Sequence, residues 1–120
     1  MRISELALRT GVTPNALRHY ERQGLIRPAR RPSGYRESAV RDVMFIVSGR
    51  RLGYPLKDLR DALPAYRAGR LTPELGIASL RERIAELDHE IAARQALRAE
   101  LLRHVKRLQQ QAKPSKKENP

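Results

Sequence analysis

Not one of the 120 residues is cysteine, which removes disulfides, thiolate-bound zinc, iron–sulfur clusters and cysteine redox chemistry together. Aromatic side chains are scarce as well, with no Trp, one Phe and four Tyr. The core is therefore expected to be aliphatic and small, one modest domain plus an appended element. There is no apolar run of the about 18 residues that a membrane-spanning helix needs. Residues 1–5 lack the basic-then-apolar plan of a secretion signal, so the expectation is a cytoplasmic protein with no membrane partner. Acid is in short supply too: 13 Asp and Glu stand against 25 Lys and Arg, for a net charge of +12, and 20 of those 25 are Arg. The planar guanidinium fork fits phosphate oxygens and guanine edges, which favours nucleic acid over a membrane surface. A GC-rich coding bias also raises the Arg count, so the position of the charge has to decide. Residues 1–60 carry 13 basic and 5 acidic side chains, net +8, and residues 61–120 carry 12 and 8, net +4.

The most basic half also holds the punctuation of a helix-turn-helix. Ser4 to Thr10 reads as a short helix capped by Ser4, with Leu6 and Ala7 inward, closed by Gly11. Thr13-Pro14 opens a second helix with a hydroxyl cap followed by proline at its first position, and that helix runs to Gly24. Of two short helices joined in this way, the second is the one that enters a major groove. Leu25-Ile26-Arg27-Pro28 and Gly34-Tyr35-Arg36 read as the two legs of a hairpin, or wing, around the basic tip Ala29 to Ser33. Ser38 is placed as the cap of a third helix reaching Leu52, with Val40, Val43, Met44, Ile46 and Val47 inward. Pro55 opens a fourth helix carrying Leu56, Leu59, Ala62 and Leu63, and Pro64 is expected to end it.

Thr72-Pro73 starts a fifth helix whose only glycine is Gly76, and which runs without further proline to about Ala112. Leu80, Ile84, Leu87 and Ile91 follow one another at spacings of four, three and four; Leu97, Leu101, Val105 and Leu108 continue the stripe after a break at Arg94 and Gln95. At 1.5 Å per residue such a helix spans about 55–60 Å. It is too long to bury this stripe on so small a head, so it is expected to pair with another helix. The expected division is a DNA-binding head over 1–70, a dimerisation helix over 71–112 and a disordered basic tail over 113–120.

Chemistry-bearing constellations are missing. Glu86 and His89 have the Glu-x-x-His spacing of bundle metal sites, but one pair without partners reads as surface neighbours. His104 lies about 22 Å further along the same helix. No Ser/His/Asp set, glycine-rich phosphate loop or paired inward carboxylate is present, so neither an enzyme nor a metal or other cofactor is expected.

Three stretches carry a resemblance: Arg18-His19-Tyr20-Glu21-Arg22-Gln23-Gly24-Leu25-Ile26, then Gly34-Tyr35-Arg36, then Arg51-Leu52-Gly53-Tyr54-Pro55-Leu56. In this order and spacing they are similar to the MerR family of bacterial transcription regulators, over the whole head, and the long helix fits that family's dimerisation coil. The resemblance implies a mainly α fold: a winged helix-turn-helix head followed by a long C-terminal helix that forms an antiparallel coiled coil in a homodimer. It implies binding to a near-palindromic double-stranded promoter, distortion of the spacer DNA, and RNA polymerase as a partner. Asn15, Arg18, His19 and Tyr20 fall in the family's recognition helix. Arg30, Arg31, Tyr35 and Arg36 fall on the wing, and Arg50, Tyr54 and Lys57, with Arg51, on a second wing. Two departures stand out. Ser38 occupies a position where the family usually has an aromatic, and the segment after Arg36 is about three residues shorter than in relatives, counted from spacing alone. Metal- and redox-sensing members use cysteines around the end of the coil, and this chain has none. Two alternatives are open from the residues: an architectural or excisionase-like DNA binder, which seldom carries such a coil, and a coiled-coil interaction protein whose basic head binds acidic partners.

Overall fold

The computed structural model describes residues 1–28 and 34–112, and divides at Thr72 into a head and a unit that begins at Pro73. The elements are α1 (Ile3–Thr10), α2 (Pro14–Arg22), α3 (Ser38–Arg51), α4 (Leu56–Arg67) and α5 (Pro73–Ala112). Among the described residues there is no strand, and no helix is long and apolar enough to cross a membrane.

The first helix starts two residues earlier than its sequence announces. Arg2 is the N-cap and offers its carbonyl to the N–H groups of Glu5 and Leu6, and no side chain caps the end, so Ser4 lies inside α1. The cause is Met1. Its carbonyl accepts from the Tyr35 N–H and its amino group donates to the Tyr35 carbonyl, which fixes the chain direction before α1 begins. The leg Gly34–Arg36 thus pairs with the chain's start. The wing tip at residues 29–33, which holds Arg30 and Arg31, lies outside the described residues. In α2 the expected cap is present: Thr13 Oγ1 accepts from the Ala16 N–H at 3.2 Å and Pro14 takes the first position. Gly11 closes α1 at φ 73° and Gly24 follows α2 at φ 74°, both left-handed turns that cost other residues more.

Leu6, Leu17, Leu25, Ile26, Tyr35, Ala39, Val43, Ile46, Leu59 and Leu63 form the core between α1, α2, α3 and α4. Fully burying one such aliphatic chain contributes about 1.5–3 kcal/mol, so a handful of them carries a head of this size. The buried face of α3 is Ala39, Asp42, Val43, Ile46 and Gly49. This places Met44 one position out of the stripe and 44% exposed, where the sequence reading had it inward. Val40 and Val47 are half-buried, and Ser38 lies within the helix behind Glu37, which has helical geometry and makes no side-chain cap. Arg9 grips Glu37 through both guanidinium nitrogens, at 2.6 and 2.7 Å, and holds that carboxyl below its ordinary range. The pair is exposed and ties α1 to the start of α3 only modestly.

Pro64 does not end α4. The helix continues to Arg67 because tertiary contacts hold its last turn. Leu63 is buried, Tyr66 stacks on Phe45 with centroids 4.4 Å apart, and Arg67 donates to Asp42 at 3.1 Å and to the Leu25 carbonyl at 3.2 Å. Together these outweigh the hydrogen bond that proline cannot make. Gly49 is where α4 leans on α3: a β-carbon there would collide with the Leu59 methyls.

Two predictions follow from the Met1–Tyr35 corner. Gly34 has φ 122°, and a β-carbon on it would overlap the Met1 carbonyl. Gly34→Ala should therefore cost about 1–3 kcal/mol, read as a lower Tm in thermal circular dichroism. An unchanged Tm would show the pairing to be dispensable. Burial, and then the hydrogen bond to Glu21 at 3.1 Å, push the Tyr35 hydroxyl up to about 12. The folded state thus favours the protonated phenol, so this contribution is complete below the unfolded value of about 10 and fades as pH rises through about 12. Tyr35→Phe should be less stable than the parent at pH 8, and the gap should close by about pH 12. A gap independent of pH would detach the hydroxyl from stability.

Candidate nucleic-acid interface

Helix α2 has two unlike faces. Leu17 is fully buried, and Tyr20 is half-buried against the core. On the other side Asn15, Arg18, His19 and Arg22 are all exposed, at spacings of three, one and three that bring them onto one face. Arg18 Nη1 donates to Asn15 Oδ1 at 3.3 Å, so the two side chains nearest the start of the helix already point the same way. The His19 and Tyr20 rings lie 6.3 Å apart and tilted by 50°. Tyr20 thus straddles the face and the core.

Arg22 belongs to this face and was not among the residues singled out from sequence. The signal was available, since Arg22 follows Asn15 by two helical turns. The only acidic residue of α2 is Glu21, and it does not share the face: the Tyr35 hydroxyl donates to its carboxylate. An unrestrained carboxylate next to Arg22 would repel phosphate. Held this way, it leaves the outer surface basic and polar.

The wing residues separate. Tyr35 is 6% exposed, so its ring is core and it supports the interface from behind; the expectation of direct DNA contact by Tyr35 is corrected by that burial. Arg36, beside it, is exposed. At the α3–α4 turn Arg50 Nη1 donates to the Tyr54 carbonyl at 3.0 Å, Gly53 has φ 90°, and the Tyr54 N–H donates back to the Gly49 carbonyl at 3.0 Å. Arg50, Arg51 and Lys57 are exposed around this turn, and Tyr54 is half-buried. Arg60 on α4 donates to the Gln23 carbonyl just past α2, tying the second basic group to the end of the first in one body. The Asn15, Arg18, His19 and Arg22 face and the Arg50, Arg51, Tyr54 and Lys57 turn are two basic features of one head, linked through that bond.

In α5 no residue is buried. Leu80, Ile84, Leu87, Ile91, Leu97, Leu101, Val105 and Leu108 are between 39% and 61% exposed, which leaves the whole apolar stripe for a partner. Glu86 engages Arg83 at 3.1 Å. Among the described residues no group of three or more His, Asp or Glu is arranged to hold a metal ion.

Comparison with known proteins agrees with this layout. The model of the MerR family regulatory protein matches residues 2–37, and that of the MerR DNA-binding region matches residues 40–104. Heavy metal-dependent transcription regulator 2 of Rhizobium meliloti (strain 1021) is 34% identical over 110 residues, covering 88% of this chain and 74% of that protein. The HTH-type transcriptional regulator ZntR of Escherichia coli (strain K12) is 32% identical over 111 residues, covering 85% and 76%. Among solved structures, the transcription regulator PbrR691 from Ralstonia metallidurans CH34 in complex with lead(II) superposes with a TM-score of 0.72. It is 26% identical and the match covers 85% of this chain and 82% of that one. With both family models matched in chain order across the head and into α5, the protein belongs to the MerR family: it is a DNA-binding regulator of transcription, not an enzyme.

Proposed function

We propose that the chain reads a near-palindromic promoter as a homodimer, one α2 per half-site, and controls transcription by distorting the spacer between the promoter elements. The observation that carries this reading is the outer face of α2: Asn15, Arg18, His19 and Arg22 exposed together, with Glu21 held back by Tyr35. Arg18 is the base-reading candidate, because it sits one turn into the helix where side chains reach the groove floor. Arg22, Arg36, Arg50, Arg51 and Lys57 contribute phosphate contacts, joined by Arg30 and Arg31 of the wing tip, and Tyr54 braces the turn between them. In this reading residues 1–70 bind DNA and 71–112 dimerise. RNA polymerase at the same promoter is the partner whose access the distortion controls, which places the protein on the nucleoid. The names of relatives speak of heavy metals. With no cysteine in these 120 residues there is no thiolate to bind a soft ion, so this chain's signal is proposed to be of another kind.

Two measurements test the reading. Arg18→Ala should weaken binding to the cognate duplex by about 1–3 kcal/mol and to a scrambled duplex much less. Equal losses on both would demote Arg18 to a phosphate contact and take base reading away from α2. Leu87→Asp combined with Ile91→Asp places two charges in the apolar stripe of α5, and should give monomers in light scattering at micromolar concentration. A dimer that survives both changes would place the interface elsewhere.

A further inference from the structure

The apolar stripe of α5 reads differently once a strict seven-residue frame is laid on the helix. Ile77, Ile84, Ile91, Arg98, Val105 and Ala112 then occupy one seam position, and Leu80, Leu87, Arg94, Leu101 and Leu108 the other, with spacings of three and four throughout. The frame does not slip at Arg94; it carries two arginines through its middle, and Leu97 falls beside the seam. β-Branched residues at one seam position and leucines at the other suit a parallel two-stranded coil, so the apolar pattern alone does not choose antiparallel pairing. The charges do.

Residues 73–91 contain five acidic and two basic side chains, net −3, and residues 92–112 contain one acidic and five basic, net +4. Parallel pairing of two copies would lay acid on acid and base on base, and would set Arg94 against Arg94 and Arg98 against Arg98 inside the seam. Antiparallel pairing lays each acidic half on a basic one. The register is restricted as well. If Pro73 lies opposite Ala112 of the second copy, the whole of α5 overlaps and the seam residues fall into layers: Ile77 with Leu108, Leu80 with Val105, Ile84 with Leu101, Leu87 with Arg98, and Ile91 with Arg94. A shift of one heptad one way puts Arg94 against Arg98 in two neighbouring layers. A shift the other way moves Arg98 from Leu87 to Leu80, between Arg81 and Arg83.

We infer that Arg94 and Arg98 fix the direction and register of the dimer: their stems cover Ile91 and Leu87 of a second copy while their guanidinium groups reach the partner subunit's Asp88 and the partner subunit's Glu90. This rests on the dimer reading above and adds the residues that select the pairing. Long basic side chains suit such positions because the stem stays on apolar surface while the head remains in water beside a carboxylate. Within its own helix Glu90 is met by Arg83 only at 3.8 Å, and is 61% exposed, so its carboxylate has open surface for a second cation.

The absence of cysteine makes the test direct, since a single introduced thiol carries the only spin label per chain. In the full-length dimer, labels at Ser79→Cys should lie about 40 Å apart along the axis, and labels at Ala93→Cys should lie close together beside the two-fold. Arg94→Glu with Arg98→Glu should lose the dimer at micromolar concentration while the head stays folded and keeps its thermal transition. Adding Asp88→Arg and Glu90→Arg to the same chain should restore the dimer with the same label distances. Short distances at both sites would mean parallel pairing, and a Ser79 distance off by about 10 Å would mean a register one heptad away. Either result, or a charge reversal that leaves the dimer intact, overturns the pairing and leaves the dimer reading standing. A parent chain that is monomeric at that concentration overturns both.

Discussion

Tyr35 is the residue on which the two tasks of the head converge. Its ring fills the core, its backbone clasps Met1, and its hydroxyl holds the only carboxylate of α2. Each of these constrains the others. The clasp brings the chain's start alongside Gly34 and aims α1, and α1 packs on both α2 and α3, with Leu17 of α2 fully buried in the shared core. With Leu17 inward, helical geometry leaves Asn15, Arg18, His19 and Arg22 no direction but outward. A regulator that needs a basic surface still has to control its acids, and here a neutral phenol inside the core does so without placing another charge near the groove. The bond also restrains Tyr35, since a buried hydroxyl without a partner would itself be destabilising.

A second buried polar link closes the head from the other side. Asp42 is nearly buried on α3, and Arg67 reaches it while also donating to the Leu25 carbonyl just beyond α2. One guanidinium therefore joins three segments, and its planar fork suits that task better than an ammonium would. Because Arg67 keeps about half of its side chain in water, desolvation stays partial and the link does not bear the full penalty of an ion pair in a dry core. The same residue explains why α4 runs through Pro64. The stack of Tyr66 on Phe45 and the Arg67 link both need three more residues of helix.

The long helix poses the opposite problem. None of the residues of α5 is buried, and forty residues of amphipathic helix in water demand a partner. The seam supplies the attraction, while the uneven charge of its two halves supplies direction. Apolar burial is indifferent to orientation, whereas Coulomb terms between surface charges are modest singly and decisive when a whole half-helix opposes its like.

Much of this was legible in the residues. Thr13-Pro14 marked the start of α2 and the glycines marked the turns, because caps and left-handed positions are local chemistry that neighbours three or four residues away settle. The α5 stripe was legible because periodicity over forty residues admits only one element. The motif runs around Tyr20, Tyr35 and Tyr54 pointed to the family, and the exposed face of α2 could be placed once its start was known. What the sequence could not order were features in which distant segments meet. Ser4 and Ser38 have the chemistry of caps and do not cap, since the Met1–Tyr35 pairing sets the entry to α1 and Glu37 carries helical geometry ahead of α3. Pro64 carries a stop signal that tertiary contacts override. Tyr35 looked like a wing residue and is core; Met44 looked inward and is half in water. Asp42, a charge inside an apolar stripe, makes sense only with Arg67 twenty-five residues away beside it. Local free energies of capping and turn formation are about 1 kcal/mol each, within reach of a single well-packed side chain or buried ion pair, and wherever the two disagreed the packing prevailed.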